Sequence, residues 1–75
     1  MDFSNGSAGK EYVAVLEKLN LNFATLNEIP NGNFPVHDPN PLNEKSQKGI
    51  KVIMKSKKFD LGALVDGDGD RILFF

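Results

Sequence analysis

The chain has 75 residues, which suffices for one small domain that buries about 60% of the surface its unfolded form exposes. Apolar residues make up 40% and charged residues 25%, an ordinary globular composition that excludes collagen-like, mucin-like and strongly disordered proteins. The net charge of −1 gives no overall field that would attract nucleic acid or an anionic membrane, so we expect neither as a partner.

The absence of cysteine excludes disulfides and thiolate metal ligands. The longest apolar stretches, residues 61–65 and 72–75, are far too short to span a bilayer. Residues 1–5 lack the basic and apolar regions of a signal peptide. These features favour a cytoplasmic protein that is neither secreted nor inserted into a membrane.

The first half of the chain predicts a strand, a helix and a second strand. Residues 1–3 read as the end of a strand, and the turn-forming and helix-capping residues that follow lead into a helix over residues 8–20. The helix is amphipathic, because apolar residues recur every three or four positions, namely Tyr12, Val13, Leu16 and Leu19. Residues 21–26 read as a short strand, and residues 27–42, which contain all four prolines, predict an ordered, extended connection that we call the proline loop.

The second half predicts a helix followed by a hairpin. Asn43 suits the N-cap of a helix that runs to about Lys57. Residues 61–65 form a nearly unbroken apolar run, as expected of a strand covered on both faces, and residues 71–75 form another strand. The order predicts an α/β fold: a three-layer βαβαββ domain with a mostly parallel sheet and a C-terminal antiparallel hairpin, truncated at its first strand.

The predicted sheet brings three segments to one edge. Loops that follow the carboxyl ends of parallel strands open on the same side, where ligands usually bind. We therefore expect residues 4–9, the proline loop and residues 66–70 to lie side by side. The only histidine, His37, belongs to this edge and could contact phosphate, relay a proton or fix the proline loop by hydrogen bonding.

Residues 66–70 read Asp-Gly-Asp-Gly-Asp, and we call them the aspartate loop. Three carboxylates so close together repel one another by about 4 kcal/mol per close pair at 4 Å and an effective dielectric near 20, a cost that nothing structural requires. The glycines allow a tightly curled backbone on which Asp66, Asp68 and Asp70 can converge. Hard oxygen ligands favour magnesium, manganese or calcium. The alternative to a metal site is an acidic hairpin tip that stays hydrated.

Two other loop types match the aspartate loop only in part. Its acidic residues fit the first, third and fifth ligands of an EF-hand, but Arg71 occupies the position that needs glycine. The segment also resembles the nucleophile motif of haloacid-dehalogenase-type phosphatases, in which Asp66 would be the nucleophile. That motif belongs near the start of its domain, whereas six residues follow Gly69 here.

Three segments carry a resemblance to a known family: residues 60–71, DLGALVDGDGDR; residues 2–9, DFSNGSAG; and residues 32–41, GNFPVHDPNP. Together they resemble the α-D-phosphohexomutase family, which comprises phosphoglucomutases and phosphomannomutases. The first looks like the metal-binding loop of that family, the second is similar to the opening turn of its second domain, and the third is similar to its proline loop. The three occur in the family's order and spacing, so residues 1–75 resemble domain 2 of a four-domain phosphohexomutase.

The resemblance implies a metal site and a reaction for the parent enzyme. Asp66, Asp68 and Asp70 would each give an oxygen to one Mg²⁺, or Mn²⁺, and a phosphoserine of the first domain would supply a further ligand. The phosphoserine would exchange a phosphoryl group with a hexose phosphate through a bisphosphorylated sugar, interconverting the 1-phosphate and the 6-phosphate. Arg71 would contact phosphate or an aspartate of the loop, or else merely offset the loop's charge at the start of a strand.

The chain lacks several parts that the family uses. It has no phosphoserine loop, no sugar-binding loop and no phosphate-binding loop. We therefore expect a piece of a larger isomerase that is inactive alone, with a hexose phosphate and the parent's other domains as partners. The competing hypotheses are a non-catalytic divalent-cation module and the dehalogenase-type phosphatase.

Overall fold

The computed structural model describes residues 1–75 and contains two helices and one hairpin. In chain order the elements are α1 (Gly9–Lys18), α2 (Glu44–Lys55), β1 (Ala63–Val65) and β2 (Ile72–Phe74). Both predicted helices are confirmed, and α2 ends two residues earlier than expected. The fold is a small α/β unit.

The hairpin confirms the predicted C-terminal pair of strands. β1 and β2 are antiparallel, with Ala63 opposite Phe74, Leu64 opposite Leu73 and Val65 opposite Ile72. All three residues of β1 are buried, with exposed fractions of 4% or less. The apolar run therefore forms a covered strand, as its composition predicts.

The two predicted N-terminal strands are reduced to single bridges, so the prediction of strands at residues 1–3 and 21–26 was wrong. Asp2 makes one parallel bridge to Leu26 and another to Leu64. The Asp2 N–H donates to the Ala63 carbonyl at 2.8 Å, and the Leu26 N–H donates to the Met1 carbonyl at 2.8 Å. The pairing stops because the chain turns at once into the left-handed region, at Ser4 (φ 56°) after Phe3 and at Asn27 (φ 51°) after Leu26.

The two helices begin differently. Asn43 caps α2 as predicted, since its side-chain oxygen accepts a hydrogen bond from the Lys45 N–H at 3.0 Å. Ala8 occupies the N-cap of α1 and makes no side-chain cap, so the capping residues predicted before this helix do not cap it. Ser7 bonds instead to the Gly67 carbonyl of the aspartate loop, which accepts its N–H at 2.9 Å. Tertiary contact thus replaces local capping.

The core is small and lies around β1. The buried apolar residues are Phe3, Ile50, Ala63, Leu64 and Val65. The apolar stripe of α1 is covered only in part, and Leu19 at its end is 62% exposed. Four polar residues are also buried, namely Asp2, Ser4, Ser46 and Asp66. Neither helix has the length and apolar character needed to cross a bilayer.

Candidate metal centre

The three aspartates of the aspartate loop converge. One carboxylate oxygen from each of Asp66, Asp68 and Asp70 lies within 4.8 Å of the others. Asp66 is buried and the other two are exposed. The loop can curl because Gly69 has a φ of 77°, a conformation that glycine adopts without strain. The structure therefore brings together the predicted ligands, with one anchored in the protein and two facing solvent.

Arg71 holds Asp66 through two hydrogen bonds. Its Nε donates to one carboxylate oxygen at 2.7 Å, and its backbone N–H donates to the other at 3.2 Å. Burial alone would raise the pKa of Asp66, but these bonds and those involving Asp70 and Asp68 outweigh it and lower the pKa to about 2. Asp66 is consequently ionised across the physiological range, as a metal ligand must be.

The neighbouring carboxylates oppose the ionisation of Asp70. Shared hydrogen bonding with the Asp68 and Asp66 side chains, together with their negative charge, raises the pKa of Asp70. Asp66 is also the main cause of the raised pKa of Arg71. Carboxylates that repel one another in this way favour a divalent cation between them. The cation takes the place of a proton and removes the repulsion.

The donor set fits a hard divalent cation. Each carboxylate has about four lone-pair sites, so Asp66 can accept both bonds from Arg71 and still offer an oxygen. Oxygen-only ligands suit magnesium, manganese or calcium, and the donors do not distinguish among these ions. Arg71 immediately precedes β2, and its side chain is 56% exposed. It is therefore both an aspartate contact and the residue that leads into the strand.

The three segments expected at one edge lie together, which confirms that prediction. A Cβ placed on Gly6 would lie 2.4 Å from the Gly67 carbonyl oxygen, and one placed on Gly67 would lie 3.2 Å from Pro39. The Tyr12 hydroxyl of α1 donates to the Gly69 carbonyl at 3.2 Å. The opening turn, the proline loop and α1 thus support the aspartate loop.

His37 fixes the proline loop, which was one of its predicted roles. Its Nε2 lies 2.9 Å from a carboxylate oxygen of Asp2, and its Nδ1 lies 2.8 Å from the Asp38 carbonyl oxygen. The His37 side chain is only 9% exposed, which leaves little surface for a phosphate contact. Sequence reasoning missed Asp2, although a carboxylate inside a predicted strand next to Phe3 signals a buried polar partner.

Comparisons with known proteins agree with this geometry. The family "Phosphoglucomutase/phosphomannomutase, alpha/beta/alpha domain II" matches residues 1–75. The chain is 38% identical over 72 residues to a phosphomannomutase of Methanocaldococcus jannaschii, an alignment covering 96% of this chain and 16% of the relative. It is 36% identical over 74 residues to a phosphoglucomutase/phosphomannomutase of Thermococcus kodakarensis, covering 99% of this chain and 16% of the relative.

A bacterial relative gives a similar result. The phosphomannomutase/phosphoglucomutase of Pseudomonas aeruginosa is 36% identical over 72 residues, covering 96% of this chain and 16% of the relative. No solved structure matches the chain significantly. The protein class is that of an α/β domain with an acidic loop at one edge. More specifically, the chain belongs to the phosphoglucomutase/phosphomannomutase family and corresponds to its domain II.

Proposed function

We propose that this chain is the divalent-metal-binding domain of a phosphohexomutase. The parent enzyme interconverts hexose 1-phosphate and hexose 6-phosphate through a phosphoserine and a bisphosphorylated sugar. The observation that supports this proposal most strongly is the convergence of the three aspartates within 4.8 Å in a chain that belongs to this family. The chain spans about a sixth of the length of these relatives, 16% in each case, so the other domains of the parent supply the phosphoserine and the sugar site.

Each residue of the centre has a role in this proposal. Asp66, Asp68 and Asp70 hold Mg²⁺ or Mn²⁺, which, when bound, neutralises charge on the transferring phosphoryl group and orients it. Arg71 keeps Asp66 ionised and aimed into the loop. Because only its Nε and its backbone N–H bond to Asp66, the exposed end of the guanidinium is available to a phosphate oxygen.

The same proposal covers the architecture of the parent. Residues 1–75 act as the second of four domains in a cytoplasmic enzyme. The parallel bridges of Asp2 to Leu26 and Leu64 support a mostly parallel arrangement of these segments in the parent. Alone, the chain is inactive, because it has neither the phosphoserine loop nor the sugar-binding loop.

The phosphatase alternative is disfavoured by the surroundings of Asp66. A nucleophilic aspartate needs an accessible oxygen whose electron density is not drawn away by strong hydrogen bonds. Both oxygens of Asp66 accept hydrogen bonds from Arg71, and the residue is 3% exposed. Such bonds lower the nucleophilicity of a carboxylate but suit a fixed metal ligand.

A chimaeric enzyme tests the proposed function. Residues 1–75 replace the aligned segment of the Methanocaldococcus jannaschii phosphomannomutase, and conversion of mannose 1-phosphate to mannose 6-phosphate is measured. We expect activity that depends on Mg²⁺ and falls by more than about tenfold with Asp68→Asn, as is usual when metal binding is weakened. Glu17→Gln, on the exposed face of α1, is the matched control and leaves activity unchanged.

Two results would contradict the proposal. A folded chimaera that binds metal yet does not turn over substrate would indicate a non-catalytic cation module. A covalent phosphate, or a fluoroberyllate adduct, on Asp66 would indicate the dehalogenase-type phosphatase. Mass spectrometry of the trapped protein distinguishes that outcome from simple inactivity.

A further inference from the structure

The His37 ring lies between two hydrogen-bond acceptors. Nδ1 is 2.8 Å from the Asp38 carbonyl oxygen, and Nε2 is 2.9 Å from a carboxylate oxygen of Asp2. A carbonyl oxygen can only accept, so Nδ1 carries a proton. Nε2 faces a carboxylate oxygen, so both ring nitrogens are held by hydrogen-bonding partners.

Hydrogen bonds hold both carboxylate oxygens of Asp2. The oxygen that does not face His37 accepts the Ser4 N–H at 2.8 Å and the Asn27 side-chain amide at 3.0 Å. With Asp2 1% exposed and the His37 side chain 9% exposed, the pair forms a buried hydrogen bond. Such a bond is costly to break on one side, because the polar atoms of the remaining partner stay buried without a hydrogen bond.

This pair is connected to the aspartate loop through Val65, the residue before Asp66. The Asp2 carbonyl accepts the Val65 N–H at 2.8 Å, and the Ser4 hydroxyl donates to the Val65 carbonyl at 2.5 Å. Both contacts come from the segment that His37 holds. The backbone just before the first metal-binding aspartate is therefore fixed from two sides.

A second connection passes through the proline loop itself. The hydroxyl of buried Ser46 in α2 donates to the Asp38 carbonyl at 2.7 Å, the same oxygen that the His37 ring contacts. Pro39, two residues after His37, lies next to Gly67 of the aspartate loop, and so does Phe34. His37 therefore links the proline loop to Asp2, and the proline loop in turn contacts Gly67.

We infer that His37 is a positioning residue for the metal centre, which it stabilises by a buried hydrogen bond between its ring and the Asp2 carboxylate rather than by touching metal or substrate. The effect of His37 on metal binding rests on the proposed function, since a fixed aspartate loop matters only if the loop binds a cation. The structural coupling of His37 to the aspartate loop does not depend on that function.

Two substitutions of His37 separate its two hydrogen bonds. The amide nitrogen of glutamine reaches the position of Nε2, so His37→Gln keeps the donor to Asp2 and loses the donor to Asp38. The shorter asparagine has its amide nitrogen at the position of Nδ1, so His37→Asn keeps the Asp38 bond and loses the Asp2 bond. The two variants are therefore matched controls of nearly equal polarity.

The experiment measures Mn²⁺ binding by the 75-residue chain and the backbone amide signals of Gly67 and Gly69. We expect His37→Asn to weaken Mn²⁺ binding about 10-fold or more and to shift both glycine signals, while His37→Gln stays within about threefold of the wild type, since partners behind metal ligands typically contribute 10–100-fold in affinity. Equal losses in both variants, or none in either, would overturn the inference.

The hydrogen bonds of the ring provide a signature that a freely exposed histidine would not show. Nitrogen-15 spectra of the wild type should show a proton on Nδ1, because that nitrogen lies against the Asp38 carbonyl oxygen. A wild-type ring without a proton on Nδ1 would contradict the inference, and this readout decides even if both His37 variants fail to fold.

Failure of the proposed function has a different appearance. A wild-type chain that binds no Mn²⁺ would contradict the metal site. In that case glycine signals that move with His37→Asn but not with His37→Gln would still support the positioning role.

Discussion

Two regions of the molecule are built in opposite ways. The aspartate edge, formed by residues 4–9, the proline loop and the aspartate loop, is held by directional polar contacts to buried groups such as Asp2, Ser4 and Asp66. Elsewhere the molecule has an apolar groove of about 510 Å³, lined by residues that include Leu16, Ile53 and Leu61. Many of its side chains remain in contact with solvent, and Leu61 is 63% exposed.

The contrast shows where this small chain fixes its geometry. Hydrogen bonds have a preferred direction, so several of them acting on one loop can place oxygen atoms to within a fraction of an ångström. Apolar contact has no such direction, and the groove has few neighbours on its open side. The aspartate edge is therefore precise while the groove is loose, and substitutions in the two regions should differ in cost and in their effect on metal binding.

Matched leucine truncations should show the largest difference in stability. Leu64 is fully buried in β1, so Leu64→Ala should lower the free energy of unfolding by about 2–5 kcal/mol. Leu61 lies on the rim of the groove, so Leu61→Ala should lower the free energy of unfolding by no more than about 0.5 kcal/mol. Urea unfolding followed by circular dichroism measures both. Equal losses would mean that the groove is as well packed as the core.

Glycine substitutions should distinguish the edge from an ordinary loop. A Cβ on Gly6 meets the Gly67 carbonyl oxygen at 2.4 Å, whereas a Cβ on Gly32 meets nothing within 4 Å. Gly6→Ala should therefore cost about 1–3 kcal/mol through overpacking against backbone, and Gly32→Ala should be near neutral or slightly stabilising. Thermal unfolding checks the stability, and Mn²⁺ titration should show weaker binding in the first variant alone.

Acid should weaken the metal-free chain through Asp66. Its pKa is lowered from 3.8 to about 2 on folding, so its ion pair with Arg71 stabilises the native state above pH 3.8, and that stability disappears as the pH falls towards about 2. Because water at this open loop screens the pair, the loss should be about 1 kcal/mol. Unfolding in the presence of a chelator measures it. Asp66→Asn should remove this part of the pH dependence.

Asp70 should act in the opposite sense. Its raised pKa means that its charge opposes the folded state, so protonation relieves the repulsion as the pH falls. In Asp70→Asn the acid-induced loss of stability should therefore be steeper than in the wild type. An identical pH profile would show that Asp70 does not interact with the other two carboxylates.

We expect the smallest effect on stability from a substitution outside both regions. Gly49 lies within α2, is exposed, and has no atom within 4 Å of an added Cβ. Gly49→Ala should raise the free energy of unfolding by up to about 1 kcal/mol through helix propensity. Metal binding should be unchanged, and denaturant unfolding with a parallel Mn²⁺ titration tests both statements.

Local chemistry made much of the edge predictable. Alternating aspartates and glycines indicated the converging carboxylates of the aspartate loop, Asn43 indicated a helix start, and strand order placed the three loops side by side. The bond between His37 and Asp2 joins residues 35 positions apart, and no local pattern encodes that pairing. The N-terminal strands were overpredicted because Ser4 and Asn27 adopt left-handed conformations, which their residue types permit without requiring.

Calorimetric titration of Mg²⁺ and Mn²⁺ into the chain tests the central claim most directly. The account predicts one ion per chain and, at a free concentration of 100 times the dissociation constant, stabilisation by about 2.7 kcal/mol. Asp68→Asn should abolish most of the binding, while Asp60→Asn, an exposed aspartate outside the loop, should bind like the wild type. A folded wild type that takes up no ion, or that loses binding equally in both variants, would contradict the account.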